Sequence, residues 1–258
     1  MSENEIKTDD ISISSSPETP TSPKGAEISE ESKDGKFSET IEFFRDLAII
    51  LIVVIFLRTY VAAPFQISGS SMEESYHDRE FILVNKFSYA DFGVTKIGDP
   101  KRGDVVILRP HASNGKEYYI KRAIGLPGDT IKFEGGEVFI KSKGETDFVK
   151  LDEGYLSITN KGKTLLPIDV KETEFTVPEG EYFVMGDNRN NSSDSRSCFQ
   201  SCTIANSRHF VSRSNIIGKL SVDFGYTNIF DKNNPNAPEN QPMRLLNTPK
   251  NWTYPELQ

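Results

Sequence analysis

The sequence predicts a mainly β protein: a single N-terminal transmembrane helix followed by an all-β domain of folded-sheet or barrel-like form. Three observations carry that expectation. The chain has one long apolar run, LAIILIVVIFL at residues 47–57. Beyond Pro64 it breaks into short β-branched and aromatic runs separated by turn residues. No stretch past the apolar run keeps a 3.6-residue apolar period.

Residues 1–40 come first and cannot build a core. Ten acidic groups against Lys7, Lys24, Lys33 and Lys36 place −6 of the net −8 here. The stretch ISISSSPETPTSPK buries too little apolar surface to offset its ordering entropy, so a disordered tail is expected. Taken strictly, the apolar run holds 11 residues, the length of a buried helix or a signal-peptide core. Extended over 41–63 it reaches the roughly 30 Å of a bilayer, with Glu42, Arg45, Asp46 and Arg58 near its ends, where long side chains can snorkel. An uncleaved anchor is the expectation, because the run begins far behind an acidic tail. Lys33, Lys36 and Arg45 on one side balance Arg58, Arg79 and Lys86 on the other, so charge leaves the orientation open.

The β domain is expected over 64–225. Strands are read at 80–89, 104–110, 117–125, 130–141, 181–187 and 215–224. The EGGE tetrapeptide between TIKF and VFIK is a hairpin turn, since glycine supplies the positive φ such turns need. Residues 142–180 are more polar and are expected to form an inserted lobe. A loop-rich extension follows over 226–258, in which MRLL (243–246) is a candidate returning strand.

Composition excludes some functions. Without the tail the chain is only −2, and no clustered basic face is visible, so no nucleic-acid partner is expected. Cys198, Cys202 and the nearby His209 fall short of a closed four-ligand zinc site, and no metal is expected. In an oxidising compartment the two cysteines are candidates for a disulfide, with free thiols as the alternative.

The segment QISGSSMEESY (66–76) crowds serines around a glycine, and a serine hydroxyl needs a neighbouring base to attack at neutral pH. His77, His111 and His209 are scattered and show no carboxylate partner in sequence. Lys121, in YYIKRAIGLPG, is the other candidate, because burial in an apolar strand disfavours its ammonium. An edge-strand lysine that guards against aggregation fits the same stretch.

Taken together and in order, PFQISGSSM, FILVNKF, RGDVVILRP, YIKRAIGLPGD, VPEGEYFVMGDNRNNSSDSR and NIIGK resemble type I signal peptidases, membrane-bound Ser/Lys endopeptidases, over residues 41–225. The resemblance implies Ser71 as nucleophile and Lys121 as general base. It implies Ser192 as the residue orienting the lysine amine, and Asp194 with Arg196 as braces of that loop. The Ser71 backbone N–H would serve the oxyanion. Gly69 stands where some members carry a second donor, which leaves Ser70 as a substitute. Phe65, Ile67, Ile82 and Ile120 would line apolar pockets for small side chains. The expected partners are preprotein signal peptides and the lipid bilayer. The expected protein is a monomer without cofactor, in the bacterial cytoplasmic membrane with its catalytic domain on the extracytoplasmic side. The chain can extend at most about 28 Å from Ala63 to Ser71, so the serine would work close to the headgroups.

Two departures stand out. SMEESY replaces the usual S-M-x-P-T-L, and Glu73 and Glu74 are expected to face solvent. Asn190 replaces an aspartate. Rival readings are a non-catalytic membrane-anchored β domain that binds exported proteins, and a self-cleaving Ser/Lys repressor, which would require a DNA-binding segment where this chain has its tail.

Overall fold

In the computed structural model, residues 33–73, 75–91, 93, 95–113, 117–226 and 244–245 are described, with side chains from residue 39 onward and none at 244–245. The tail over 1–32, Glu74, and residues 227–243 and 246–258 lie outside the described residues.

Helix α1 spans Lys33–Phe56, so it starts inside the stretch expected to be a tail. One π-helical turn, Leu57–Val61, follows it. Two observations bear on the transmembrane helix expected over 41–63. Residues 62 and 63 already belong to a strand. Among the described residues no helix is long and apolar enough to cross a membrane. The physical reason is charge: Glu39, Glu42, Arg45 and Asp46 all fall within α1 and Arg58 lies in the π-helical turn after it. The apolar part is nonetheless exposed on every side, with Leu47, Ile49–Phe56 and Leu57 all open to solvent.

Twelve strands are described: β1 Ala62–Gln66, β2 Phe81–Asn85, β3 Val105–Leu108, β4 Tyr119–Gly125, β5 Thr130–Glu134, β6 Glu137–Lys141, β7 Val149–Lys150, β8 Glu174–Thr176, β9 Glu181–Met185, β10 Val211–Ser212, β11 Ile216–Gly225 and β12 Arg244–Leu245. All their pairings are antiparallel. The larger sheet runs β1-β2-β11-β3-β4-β9-β10, with β12 also on β11. The smaller runs β7-β6-β5-β8. Residues 142–180, expected as an inserted lobe, thus supply both edge strands of the second sheet.

Position in the sheet explains the burial patterns. β2 alternates, with Ile82 and Val84 inward, as a half-covered strand should. β3 is buried at every residue, because β11 and β4 flank it and apolar clusters cover both its faces. One cluster joins Ile67, Met72, Ile82, Val105 and Ile120. A second, on the other face, joins Val106, Tyr182, Val184, Phe199 and Val211. A third ties the smaller sheet, through Ile131, Phe133 and Phe175, to Ile124 of β4 and to Phe183 and Met185 of β9. Each fully buried side chain of this kind contributes roughly 1.5–3 kcal/mol over exposure.

The EGGE turn joins β5 to β6, and both glycines hold positive φ, 60° at Gly135 and 81° at Gly136. They differ in surroundings. A Cβ at Gly135 meets open space, whereas one at Gly136 would come 2.1 Å from Gly162 O. The substitution G135A should therefore cost about 1–2 kcal/mol of backbone strain alone. G136A should cost about 3 kcal/mol or more, because displacement of residues 162–163 adds to the strain. Urea unfolding midpoints of the two variants check this, and equal losses would contradict the close approach.

Candidate active site

The site is built on β4. Its residues 120–125 are buried without alternation because β3 and β9 flank the strand and both faces are covered. Two adjacent cations, Lys121 and Arg122, are 3% and 0% exposed. Their side chains leave opposite faces of the strand and meet different surroundings. Arg122 is saturated: Nε and Nη2 donate to Asp187 Oδ1 and Oδ2 at 2.8 and 2.5 Å, and Nη1 donates to Gly103 O at 2.8 Å. Its guanidinium also lies 4.2 Å from the Tyr155 ring centroid.

Lys121 has no such partner. Its Nζ donates to Ile120 O at 2.9 Å and lies 2.7 Å from Ser71 Oγ, and no carboxylate forms an ion pair with it among the described residues. Burial pushes its pKa down from 10.5 to about 8. Asp194 and Asp187 pull it up again in part, and Arg196 pushes it further down. A neutral amine has one lone pair and two N–H bonds. With one N–H on Ile120 O, the lone pair is available to the Ser71 hydroxyl.

Ser71 is held by its neighbours on both sides. Past β1 the hairpin continues, with Ile67 N–H donating to Glu80 O and Arg79 N–H donating to Ile67 O. Gly69 N–H donates to Asp78 Oδ1 at 2.7 Å. Met72 sinks into the core at 1% exposure, and its carbonyl accepts from Ser75 and Tyr76 N–H. From the opposite direction, Asn188 donates through Nδ2 to Ser70 O and through its backbone N–H to Ser71 O, both at 3.0 Å.

The loop after β9 closes the site. Gly186 approaches so tightly that a Cβ there would meet Ser192 Oγ at 2.2 Å and Ser71 O at 2.4 Å. Its N–H donates to Asp194 Oδ2 at 3.0 Å. Asp194 also accepts from Arg196 through the backbone N–H, Nε and Nη2, and caps the short 3-10 turn Ser195–Ser197. Burial pushes the Asp194 carboxyl up, but the Arg196 charge and hydrogen bonds, with the Gly186 N–H, hold it below the usual range. Ser192 Oγ is shielded from solvent and lies beside Asp194, whose carboxyl it helps hold low; it makes no hydrogen bond to the Lys121 amine, which uses Ser71 and Ile120.

A cavity of about 690 Å³ opens beside Ser71 and Lys121 and is lined by Phe65, Ile67, Ile82 and Ile120. Tyr118 and Asn191 also line it. Tyr118 packs edge-on against Phe65 with centroids 5.2 Å apart, and Asn191 Nδ2 donates to Ser70 Oγ at 2.9 Å. No histidine lines this cavity. His77 Nδ1 pairs with buried Glu80 at 2.9 Å, and His209 Nδ1 donates to Ser195 O at 2.7 Å. The Glu73 side chain, 42% exposed, faces His77 at 4.0 Å and is not among the charges acting on Lys121. Cys198 and Cys202 form a disulfide. Their sulfurs lie with His209 within 4.8 Å, but the two are committed to each other and not to a metal.

Sequence reasoning passed over Arg122–Asp187 and Arg189. Arg189 donates to Glu153, to Tyr155 OH and Thr164 Oγ1, each at 2.9 Å, and to Gly186 O at 3.0 Å. A signal was present: an arginine inside an apolar strand requires a buried carboxylate, and Asp187 follows the apolar run YFVM.

The protein family described as signal peptidase, peptidase S26, matches residues 40–224. Signal peptidase I of Bacillus amyloliquefaciens is 37% identical over 71% of this chain and 93% of its own length. Signal peptidase I S of Bacillus subtilis is 35% identical over 68% and 90%. A crystal structure of a signal peptidase I from Enterococcus faecalis is 31% identical, covers 48% of this chain and 97% of that one, and superposes with a TM-score of 0.33. The sequence relatives, not that superposition, carry the likeness.

The depressed pKa has a consequence for stability. Below about pH 8 the folded chain holds a buried ammonium, and between about 8 and 10.5 only the unfolded chain keeps that proton. Stability therefore rises with pH across this window. The Lys121→Met variant should be more stable than the wild type by about 3 kcal/mol at pH 7, and that advantage should shrink as pH climbs from 8 towards 10.5. Urea unfolding across the pH series measures it, and an advantage independent of pH would contradict the desolvated amine.

Proposed function

Because the chain belongs to the signal peptidase family S26, the serine endopeptidases that remove signal peptides from preproteins, we propose that Ser71 and Lys121 perform this hydrolysis as a nucleophile–base pair. One observation supports it above the others: an amine with a pKa lowered to about 8 lies 2.7 Å from a serine hydroxyl at the wall of a cavity. That separation is within the reach a proton transfer requires.

Neutral Lys121 removes the Ser71 proton as Oγ attacks the scissile carbonyl. The tetrahedral oxyanion takes the Ser71 N–H. Gly69 N–H is already committed to Asp78, so the second donor is Ser70, whose Oγ accepts from Asn191 and keeps its own O–H free to donate. The lysine ammonium then protonates the leaving amine, and the mature chain departs. The amine, neutral again, activates water to release the signal peptide from Ser71. Asp194 and Arg196 hold the loop that covers Lys121. Ser192 acts on Asp194, whose carboxylate it helps stabilise, and sits beside Gly186. Small residues at −1 and −3 suit a cavity whose wall is the rigid side chains Phe65, Ile67, Ile82 and Ile120.

The setting is a membrane surface. The exposed apolar stretch 47–57 would sit in the lipid of the bacterial cytoplasmic membrane, with the β domain on the extracytoplasmic side. An enzyme held there meets the cleavage sites of signal peptides at high effective concentration.

Purified full-length chain should cleave a preprotein after its small-x-small site. Ser71→Ala and Lys121→Ala should each lower kcat by about 10³-fold or more. The rate constant kcat/KM should climb about tenfold per pH unit up to about 8 and level off above it, because only the neutral amine accepts the proton. A Lys121→Ala chain that cleaves at the wild-type rate would remove the base from the mechanism.

A further inference from the structure

The strand and loop contacts around the site lead outward to the Cys198–Cys202 disulfide, and the mechanism above makes no use of it. Cys198 and Phe199, at φ 51° and 64°, are consecutive non-glycine residues in the left-handed region, which L side chains disfavour. Cys198 ends the 3-10 turn Ser195–Ser197, and the disulfide ties it to Cys202 four residues on. The strained pair serves the loop next to Lys121. Phe199 N–H donates to Asp194 O at 2.9 Å, and Ser193 Oγ donates to Phe199 O at 2.5 Å. The Phe199 ring, 1% exposed, packs edge-on against Tyr119, and Lys121 Nζ lies 5.3 Å from the Tyr119 centroid. Asp194 in turn holds Gly186, where a Cβ would come 2.4 Å from Ser71 O. His209 clamps the same turn by donating to Ser195 O, and its ring nitrogens lie 3.8 and 3.9 Å from Cys202 Sγ.

We propose that Cys198–Cys202 is a thiol–disulfide exchange site whose oxidised state latches the loop covering Lys121, so that a dithiol reductant lowers the peptidase activity. Cys202 is the half-buried partner and Cys198 the buried one, so the incoming thiolate attacks Cys202 Sγ. The S–S bond breaks and Cys198 leaves as a thiolate that takes up a proton. The second thiol of the reductant then displaces Cys202 as a thiol and closes its own disulfide. Two electrons and two protons pass to the protein. With the cross-link gone, nothing covalent holds Cys198 and Phe199 left-handed. The Phe199–Asp194 contact loosens, water reaches the amine, and the Lys121–Ser71 geometry broadens.

The activity part rests on the hydrolytic reading above, so the experiment has two arms. In the first, full-length chain is treated with dithiothreitol until two thiols per chain are titrated, and is assayed on a peptide with an Ala-x-Ala site. The expected result is a fall in kcat of about tenfold with KM little changed. The acid limb of the pH profile should move up by about half a unit as the amine is rehydrated, and reoxidation should reverse both. The Cys198→Ser/Cys202→Ser chain should sit at the reduced level with or without reductant. In the second arm, amide hydrogen exchange of Gly186 and Phe199 should quicken about tenfold on reduction. Verified reduction that leaves exchange unchanged overturns the latch, whatever the activity. Unchanged kcat and pH limb with faster exchange overturns its control of catalysis. An equal loss in the double-serine chain on adding reductant overturns the disulfide as its target. An oxidised chain that cleaves nothing counts against the hydrolytic reading alone, and the exchange arm still decides the latch.

Discussion

The structure turns on leaving one buried amine without a countercharge. Lys121 and Arg122 are neighbours on a strand covered on both faces, and each brings a cation into a region that water does not reach. For Arg122, Asp187, Gly103 O and the Tyr155 ring meet the charge. A guanidinium cannot shed its proton, so it has to be paired. For Lys121 the fold offers one carbonyl and one hydroxyl, and the amine responds by giving up its proton more readily. Two adjacent basic side chains of one strand therefore meet different surroundings: one is paired with a carboxylate, the other is desolvated without one.

That tuning depends on keeping nearby charges fixed. Asp194 and Asp187 both favour the ammonium, yet each is spent on an arginine, Asp194 on Arg196 and Asp187 on Arg122. A change that frees either carboxylate would raise the lysine pKa and disturb the loop at once. Gly186 is the physical join: its N–H is held by Asp194, and only a residue without Cβ lets this loop pass beside Ser71 O and Ser192 Oγ. The serine is positioned by the same loop, since Asn188 donates to the carbonyls of Ser70 and Ser71 on either side of the Ser71 Cα.

The second sheet is coupled to this arrangement. Glu153, Tyr155 and Thr164, all from the polar stretch 142–180, gather around Arg189, which also donates to Gly186 O. The polar segment 142–180 therefore supplies the buried partners of a loop arginine. Its two strands, β7 and β8, are only two and three residues long. Edges so short leave no readable alternation, which is why they escaped notice in the sequence. β1 escaped for another reason: its residues continue an apolar run whose composition argues for helix.

From the sequence alone one could read the β character of the domain, the double-glycine hairpin, the serine beside Met72 and a lysine set in an apolar strand. Those features are local: alternation, turn chemistry and composition act within a few residues. The order of motifs pointed to the family. The tertiary structure decided which strands are neighbours, and with that everything relational. It brought Ser71 and Lys121 together across 50 positions, left Ser192 Oγ without the lysine, and distributed carboxylates so that one cation is paired and the next is not. It also carried the helix back over Glu39, Glu42, Arg45 and Asp46 and ended it at Phe56, so that no described helix is long and apolar enough to cross a membrane. The reason is physical: a strand's sequence says which side chains share a face, but desolvation and charge pairing are set by what the rest of the chain lays against that face.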